Sequence, residues 1–108
     1  MNSKTLTVTQ YTLEAVSNSY EELHIVVEEV SKWAREEGVA AAQGEVLAAL
    51  TWLIAGGYAK AYEVHEGPSG VRETTYSPQF ADKLYYYVTP KGKAVAQWLT
   101  DTAASDSG

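Results

Sequence analysis

Apolar residues recur at helical spacing between residues 43 and 55, and the chain then passes into an alternating segment rich in strand formers up to residue 64. One side of that helix collects the large apolar residues Val46, Leu50 and Leu53. The pair Gly56-Gly57 supplies the left-handed residue that commonly ends a helix. The pattern therefore predicts a helix with one buried side that ends at Gly56-Gly57, and a strand over residues 58–64; the start of the helix, near residue 43, has no capping oxygen to mark it.

Two further helices are predicted before this one. The first covers residues 9–17, and the second begins at Ser19, which has the capping-box spacing with Glu22, and ends at Gly38. The apolar face of the second helix is Leu23, Val26, Val27, Val30, Trp33 and Ala34. Ile25 interrupts its polar face, and there are two interpretations: a lone surface apolar residue, or a contact with a partner chain.

The C-terminal half contains the signals of a long turn, a strand and a last helix. Breakers at residues 67–70 and 77–78 place a long connection over residues 65–82, with a strand piece at residues 72–76. The run 84–88 is strongly strand-forming, with Leu84, Tyr86 and Val88 on one side. The other side carries Tyr85 and Tyr87, which serve either strand packing or an aromatic surface for a partner or small ligand.

Thr89-Pro90 is a favourable helix start, since a hydroxyl cap precedes proline at the first helical position. The helix that follows is expected to bury Ala94, Val95, Trp98 and Leu99. From residue 101 the composition is too polar and small to bury much surface, so residues 101–108 are predicted to be a disordered tail. Residues 1–100 then form a single domain.

Composition narrows the function classes. The chain has 108 residues and a formal charge of −6, with eight acids and three bases in residues 1–57, so any phosphate contact would come from the C-terminal half. The absence of cysteine excludes disulfides and thiolate metal sites. With no signal-peptide pattern and no apolar run of membrane length, we expect a complete cytoplasmic chain without a membrane contact.

Catalytic constellations are missing from the sequence. His24 and His65 are the only histidines, and they have no cysteine to complete a metal site. No serine lies in a nucleophile-elbow pattern, and no glycine-rich phosphate loop occurs. The sequence therefore predicts a protein that is not an enzyme and that uses no cofactor or metal.

Two segments carry a resemblance to a known fold. Residues 46–58 (VLAALTWLIAGGY) look like a third helix with a glycine exit into a wing strand, and residues 86–92 (YYVTPKG) look like the second wing strand entering a closing helix. Over residues 9–99 the chain resembles the winged helix-turn-helix domain of PadR-type and MarR-type regulators. The resemblance implies an α+β fold with a three-helix core, a two-stranded β wing and a closing C-terminal helix.

In that family the third helix enters the major groove of DNA and the wing contacts the adjacent backbone or minor groove. The resemblance implies nucleic-acid contacts by Gln43, Lys60, Arg72, Lys83, Lys91 and Lys93. The groove-facing positions of the third helix, however, hold no Arg, Lys or Asn, the residue types that with Gln read most bases, so only Gln43 qualifies. The many glutamates of the second helix would also repel phosphate.

The same outward face suits close packing against protein, because its residues are small and it carries one tryptophan. The predicted partner-binding residues are Gly44, Ala48, Thr51, Trp52 and Ala55, with Ile25 from the second helix. A tilt of the helix that buries Trp52 in its own core is the alternative for that residue. The sequence thus favours a winged-helix domain that acts by self-association, as a homodimer, or by binding a protein partner. The alternative function is a DNA-binding transcription regulator.

Overall fold

The computed structural model describes residues 2–64 and 70–106, and the side chains of residues 2–64 and 70–98. These residues form a mixed α+β domain. Its elements, in chain order, are α1 (Ser3–Ala15), β1 (Glu21–Glu22), α2 (Leu23–Glu36), α3 (Gln43–Ala55), β2 (Ala59–Val64), β3 (Val71–Thr74), a 3-10 helix (Pro78–Lys83), β4 (Tyr85–Val88) and α4 (Pro90–Asp106).

The strands of the described residues form one antiparallel sheet in the order β1-β4-β2-β3. In it, β4 occupies an inner position, because Tyr86 is opposite Glu21 of β1 on one side and Ala61 of β2 on the other. The two residues of β1 therefore pair with a strand near the other end of the chain.

One face of the sheet and the three N-terminal helices enclose the hydrophobic core. Tyr86 lies completely buried in it, and its hydroxyl donates a hydrogen bond of 2.6 Å to the Ala81 carbonyl of the 3-10 helix. Burial also raises the pKa of Tyr86, in keeping with its apolar surroundings. The helices contribute Val8 and Leu13 of α1, Val26 and Val30 of α2, and Val46, Leu50 and Leu53 of α3.

Several predictions of helix ends and strand faces are confirmed. The predicted end of α3 is confirmed, since the helix ends at Ala55, and Gly57 (φ +79°) and Gly38 (φ +76°) take the left-handed conformation at the ends of α3 and α2. Thr89 caps α4 by accepting a hydrogen bond of 3.1 Å from the backbone N–H of Gly92. Along β4 the buried residues are Tyr86 and Val88, with Leu84 buried just before them, as the alternation predicts.

The predicted start of the first helix is wrong by six residues. In the structure α1 begins at Ser3, where the Asn2 side chain caps it by accepting a hydrogen bond of 2.8 Å from Thr5 N. The predicted capping box at Ser19 is also wrong, because Glu22, its partner in that motif, lies with Glu21 in β1. Pairing with β4 satisfies the backbone hydrogen-bonding groups of these two residues, so α2 begins only at Leu23.

The last helix also differs from the expectation. Ala94 and Trp98 are exposed, Val95 is half-buried, and the side chain of Leu99 lies outside the described residues. The helix continues to Asp106, six residues into the segment predicted to be a disordered tail. The predicted strand piece is β3, shifted to Val71–Thr74, while most of the predicted turn at residues 67–70 lies outside the described residues.

Candidate protein-binding surface

Trp52 is half-exposed on α3 and held by a stack of aromatic and cationic groups. Its indole is 50% exposed and lies parallel to the Tyr58 ring, with the ring centroids 5.7 Å apart. On the same ring, the Lys91 ammonium lies 4.6 Å from the centroid and donates a hydrogen bond of 2.8 Å to the Gly56 carbonyl at the end of α3. The cation therefore both stabilises the helix C-terminus and fixes the ring that supports Trp52.

Beside Trp52 is a small apolar hollow between α1, α3 and α4. Its volume is about 170 Å³. The lining residues are Leu6, Thr9, Gln10, Leu13, Trp52, Leu53, Tyr58 and Val95. Leu6 at its rim is 48% exposed, and Trp98, 63% exposed, lies one helical turn beyond Val95 on α4. Two large apolar side chains, Leu6 and Trp52, thus line the hollow while about half of each is exposed to water.

A second hollow opens on the α1–α3 side of Trp52. It measures about 300 Å³ and is lined by Thr5, Val8, Thr9, Glu45, Ala48, Ala49 and Trp52. Glu45 is its only charged lining residue, and Lys4 reaches this carboxylate with an N–O distance of 3.0 Å. Hydrogen bonding from the Ala42 backbone N–H, followed by Lys4, lowers the pKa of Glu45. We call this second hollow the Glu45 notch. The name Trp52 surface denotes the neighbouring residues Leu6, Gln10, Ala48, Trp52 and Tyr58.

The structure separates the predicted partner-binding residues into two groups. Gly44, Ala48 and Ala55 are exposed, as is Trp52, so the outward face of α3 is open. Thr51 is half-buried, and its hydroxyl is engaged with the Leu47 carbonyl (2.9 Å) and the Tyr76 hydroxyl (2.7 Å). Its contacts therefore tie α3 to the segment after β3. Ile25 is half-buried on α2 and lines neither hollow.

The residues expected to contact nucleic acid have local partners. Lys60 pairs with Glu73 at 3.0 Å, and Arg72 lies opposite Glu63 in the β2–β3 ladder. Two more lysines lie over aromatic rings: Lys83 over Phe80 and Lys93 over Tyr87. Lys91 is the cation of the Trp52 stack described above, and Gln43 is exposed at the first position of α3. Tyr87 is a neighbour of both Lys93 and Lys60, which lies opposite it in the β2–β4 ladder.

The outer face of the sheet carries a cluster of tyrosines. Tyr20 lies against Tyr62 and Tyr87 with centroid distances of 4.9 and 4.8 Å, and the Tyr85 hydroxyl donates to Glu22 at 3.2 Å. Burial is the largest cause that raises the pKa of Tyr62. These rings cover one another, which supports the strand-packing interpretation of this face.

Another tyrosine, on α1, connects this helix to the end of α2. The Tyr11 hydroxyl donates a hydrogen bond to Glu37, and its ring lies 5.8 Å from that of Trp33. Burial, followed by this hydrogen bond, raises the pKa of Tyr11 to about 12. Burial and the neighbouring Glu37 likewise raise the pKa of Glu14. These contacts join α1 to the end of α2, which is a structural role.

In the described part of the chain, no group of three or more His, Asp or Glu side chains is placed to hold a metal ion. Over the same residues, none of the helices has the length and apolar character needed to cross a bilayer.

Sequence reasoning missed the half of the site that comes from α1. Leu6, Thr9, Gln10 and Leu13 have helical spacing, which could have indicated one face of a helix. Three threonines between residues 5 and 9 hid that pattern, since β-branched residues weaken a helix prediction. The sequence pattern assigns Tyr58 to the start of a strand, whereas its ring supports Trp52.

Comparison with known proteins yields no relative. No family model, no curated protein and no solved structure matches this chain. The functional interpretation therefore depends on the geometry of the surface itself.

Proposed function

We propose that this chain is a winged-helix domain that acts, without catalysis, by contacting another protein chain through the Trp52 surface. The observation that carries the proposal is the half-exposed Trp52, held in place by Tyr58 and Lys91 beside an apolar hollow. A rigid exposed tryptophan next to an apolar recess is typical of the few residues that dominate binding energy at protein interfaces.

The order of the elements supports the winged-helix part of the proposal. Three helices precede a hairpin of β2 with the strands that follow, and a last helix closes the domain. Between α1 and α2, the short β1 pairs with β4, which extends the hairpin into a sheet against the helices. In this arrangement α3 presents its small residues outward and is followed directly by the hairpin.

Charge and contacts favour a protein partner over DNA. The outward face of α3 carries Gly44, Ala48 and Ala55 and no cation. The chain as a whole has a formal charge of −6, so the nonspecific attraction to phosphate that dominates DNA affinity would be weak. Small side chains instead allow close approach of another backbone. Removal of exposed apolar groups from water by a partner is also favourable and would stabilise the complex.

Sedimentation velocity over a concentration series up to roughly 1 mM tests self-association in the range of weak complexes. We expect the apparent mass to rise with concentration for the wild type and to rise less for Trp52→Ala. His24→Ala, a change at an exposed position of α2, is the matched control and should behave as the wild type.

A photo-crosslinking residue at position 55, exposed on α3 one turn after Trp52, tests binding to a different protein in the host cell, with position 28 on α2 as the control. A discrete adduct that forms only from position 55 and is lost with Trp52→Ala would support the proposal. A chain that stays monomeric throughout the series and yields no such adduct would overturn it.

A further inference from the structure

We infer that the Glu45 notch is a receptor for one basic side chain, above all an arginine, presented by the protein partner that covers the Trp52 surface. The inference rests on the proposed function and names the chemistry of the partner. It follows from the shape of the notch, the nature of its walls and the charge at its rim.

The notch has room for one long side chain. Its volume of about 300 Å³ lies at the low end of the range for ligand pockets. Its floor is made of small residues of both helices, Ala48 and Ala49 of α3 with Val8 of α1. The Thr9 hydroxyl at the edge already donates to the Thr5 carbonyl at 2.7 Å, so its proton is not offered to an anion.

The wall and rim both favour a cation. Trp52 presents an indole, the aromatic side chain that attracts cations most strongly. Glu45, seven residues earlier on the same helix, is the only charged lining residue, and one of its carboxylate oxygens accepts from Ala42 N at 3.2 Å. The other oxygen faces Lys4. A guanidinium can stack on an aromatic ring and pair with a carboxylate, the two groups that line this hollow.

The protein itself places a cation at this carboxylate. The Lys4 ammonium lies 3.0 Å from Glu45, and both side chains are partly exposed. A surface pair of this kind contributes little stability, so an incoming guanidinium can replace Lys4 at small cost. The surrounding field acts in the same direction, since residues 1–57 contain eight acids and three bases.

The test uses NMR of the full chain labelled at the tryptophan indole nitrogens, with Nα-acetyl arginine amide (below, arginine amide) as the probe and Nα-acetyl citrulline amide (below, citrulline amide) as its uncharged isostere. We expect arginine amide to shift the Trp52 indole resonance saturably, while Trp98, although more exposed, stays in place. Citrulline amide should bind about two- to fivefold more weakly, since it lacks the ion pair and most of the cation–π attraction.

Two variants give effects of opposite sign. Glu45→Gln keeps an acceptor for Ala42 N but removes the charge, and it should weaken the binding of arginine amide about two- to fivefold. Lys4→Ala removes the competing ammonium and should strengthen binding. Glu36→Gln, at an exposed acid on α2, is the control and should leave binding unchanged.

The inference would be overturned if both amides shifted the Trp52 resonance equally. It would also be overturned if the variants at Lys4 and Glu45 failed to change the affinity for arginine amide in opposite directions. The two proposals can fail separately. If Trp52→Ala abolishes protein association while arginine amide leaves the Trp52 resonance unmoved, the surface remains a protein contact and the cation receptor is refuted. If arginine amide binds as described but neither association nor cross-linking occurs, the protein contact is refuted and the notch remains a cation site.

Discussion

Gly92 in the first turn of α4 lies where a side chain has no space, which makes Gly92→Ala a sharp test of how α4 is attached. A Cβ there would lie 2.1 Å from the Tyr58 carbonyl oxygen and 2.6 Å from a Val88 methyl group. Ordinary contact begins at 3.4 Å, so the new carbon is more than 1 Å too close to backbone that cannot rotate away.

The expected magnitude follows from two opposing effects. Overpacking of this kind costs about 1–3 kcal/mol, and the shift would also strain the hydrogen bonds that Thr89 makes to Gly92 N and to the Gly57 carbonyl. Helix propensity returns at most about 1 kcal/mol for alanine over glycine. We therefore expect a net loss of about 1–2 kcal/mol, which lowers the melting temperature by roughly 4–8 °C in a domain of this size.

Gly44→Ala is the matched control. Gly44 also lies in the first turn of a helix, α3, but nothing lies within 4 Å of the point that an alanine Cβ would occupy there, so only the propensity gain of up to about 1 kcal/mol applies. Because both substitutions change the unfolded chain in the same way, their difference isolates the contact with Tyr58. Urea denaturation followed by circular dichroism measures both. A Gly92→Ala protein as stable as the wild type would refute the close approach of α4 to Tyr58.

Two further predictions concern the cap and the pH dependence. Thr89→Ala removes the α4 cap and the bond to the Gly57 carbonyl, and it should cost about 1 kcal/mol in urea denaturation, whereas Thr89→Ser should retain most of that stability. Burial and Glu37 raise the folded-state pKa of Glu14, so its ionisation disfavours the fold. The stability tied to the protonated form is present in full below the unfolded pKa of about 4.3 and is lost as the pH rises through the folded pKa. Glu14→Gln should therefore raise the melting temperature at pH 7 and lose that advantage below about pH 4; an equal gain at both pH values would contradict this reasoning.

The predictable parts of the fold were those fixed by local chemistry. Gly57 and Gly38 mark helix ends because a left-handed residue is needed there, and Thr89-Pro90 marks a helix start because both residues suit a first turn. The alternation along β4 is equally local, since one face of the sheet is buried. For this reason the end of α3, with its buried stripe and glycine exit, could be predicted, whereas its start, without a capping side chain, could not.

The parts that could not be predicted depend on distant partners. Glu21 and Glu22 are poor strand formers, and they pair with β4 only because the fold brings that strand alongside them. Trp98 has the spacing of a buried residue, yet it is 63% exposed, because spacing along one helix does not show which other elements pack against that turn. At the site, the outward face of α3 was visible in the sequence, but the contribution of α1 and the Lys4–Glu45 pair required the packing of the two helices.

The inner position of β4 affects how the chain can fold during synthesis. The strand that joins β1 to β2 is synthesised long after β1, since the hydrogen bond between Tyr85 and Glu22 spans 63 residues. Until then β1 has no partner, and the core lacks Tyr86, its largest fully buried side chain. Contacts of such long range slow folding and make it cooperative. The apolar faces of the nascent helices therefore stay partly uncovered until β4 has been made.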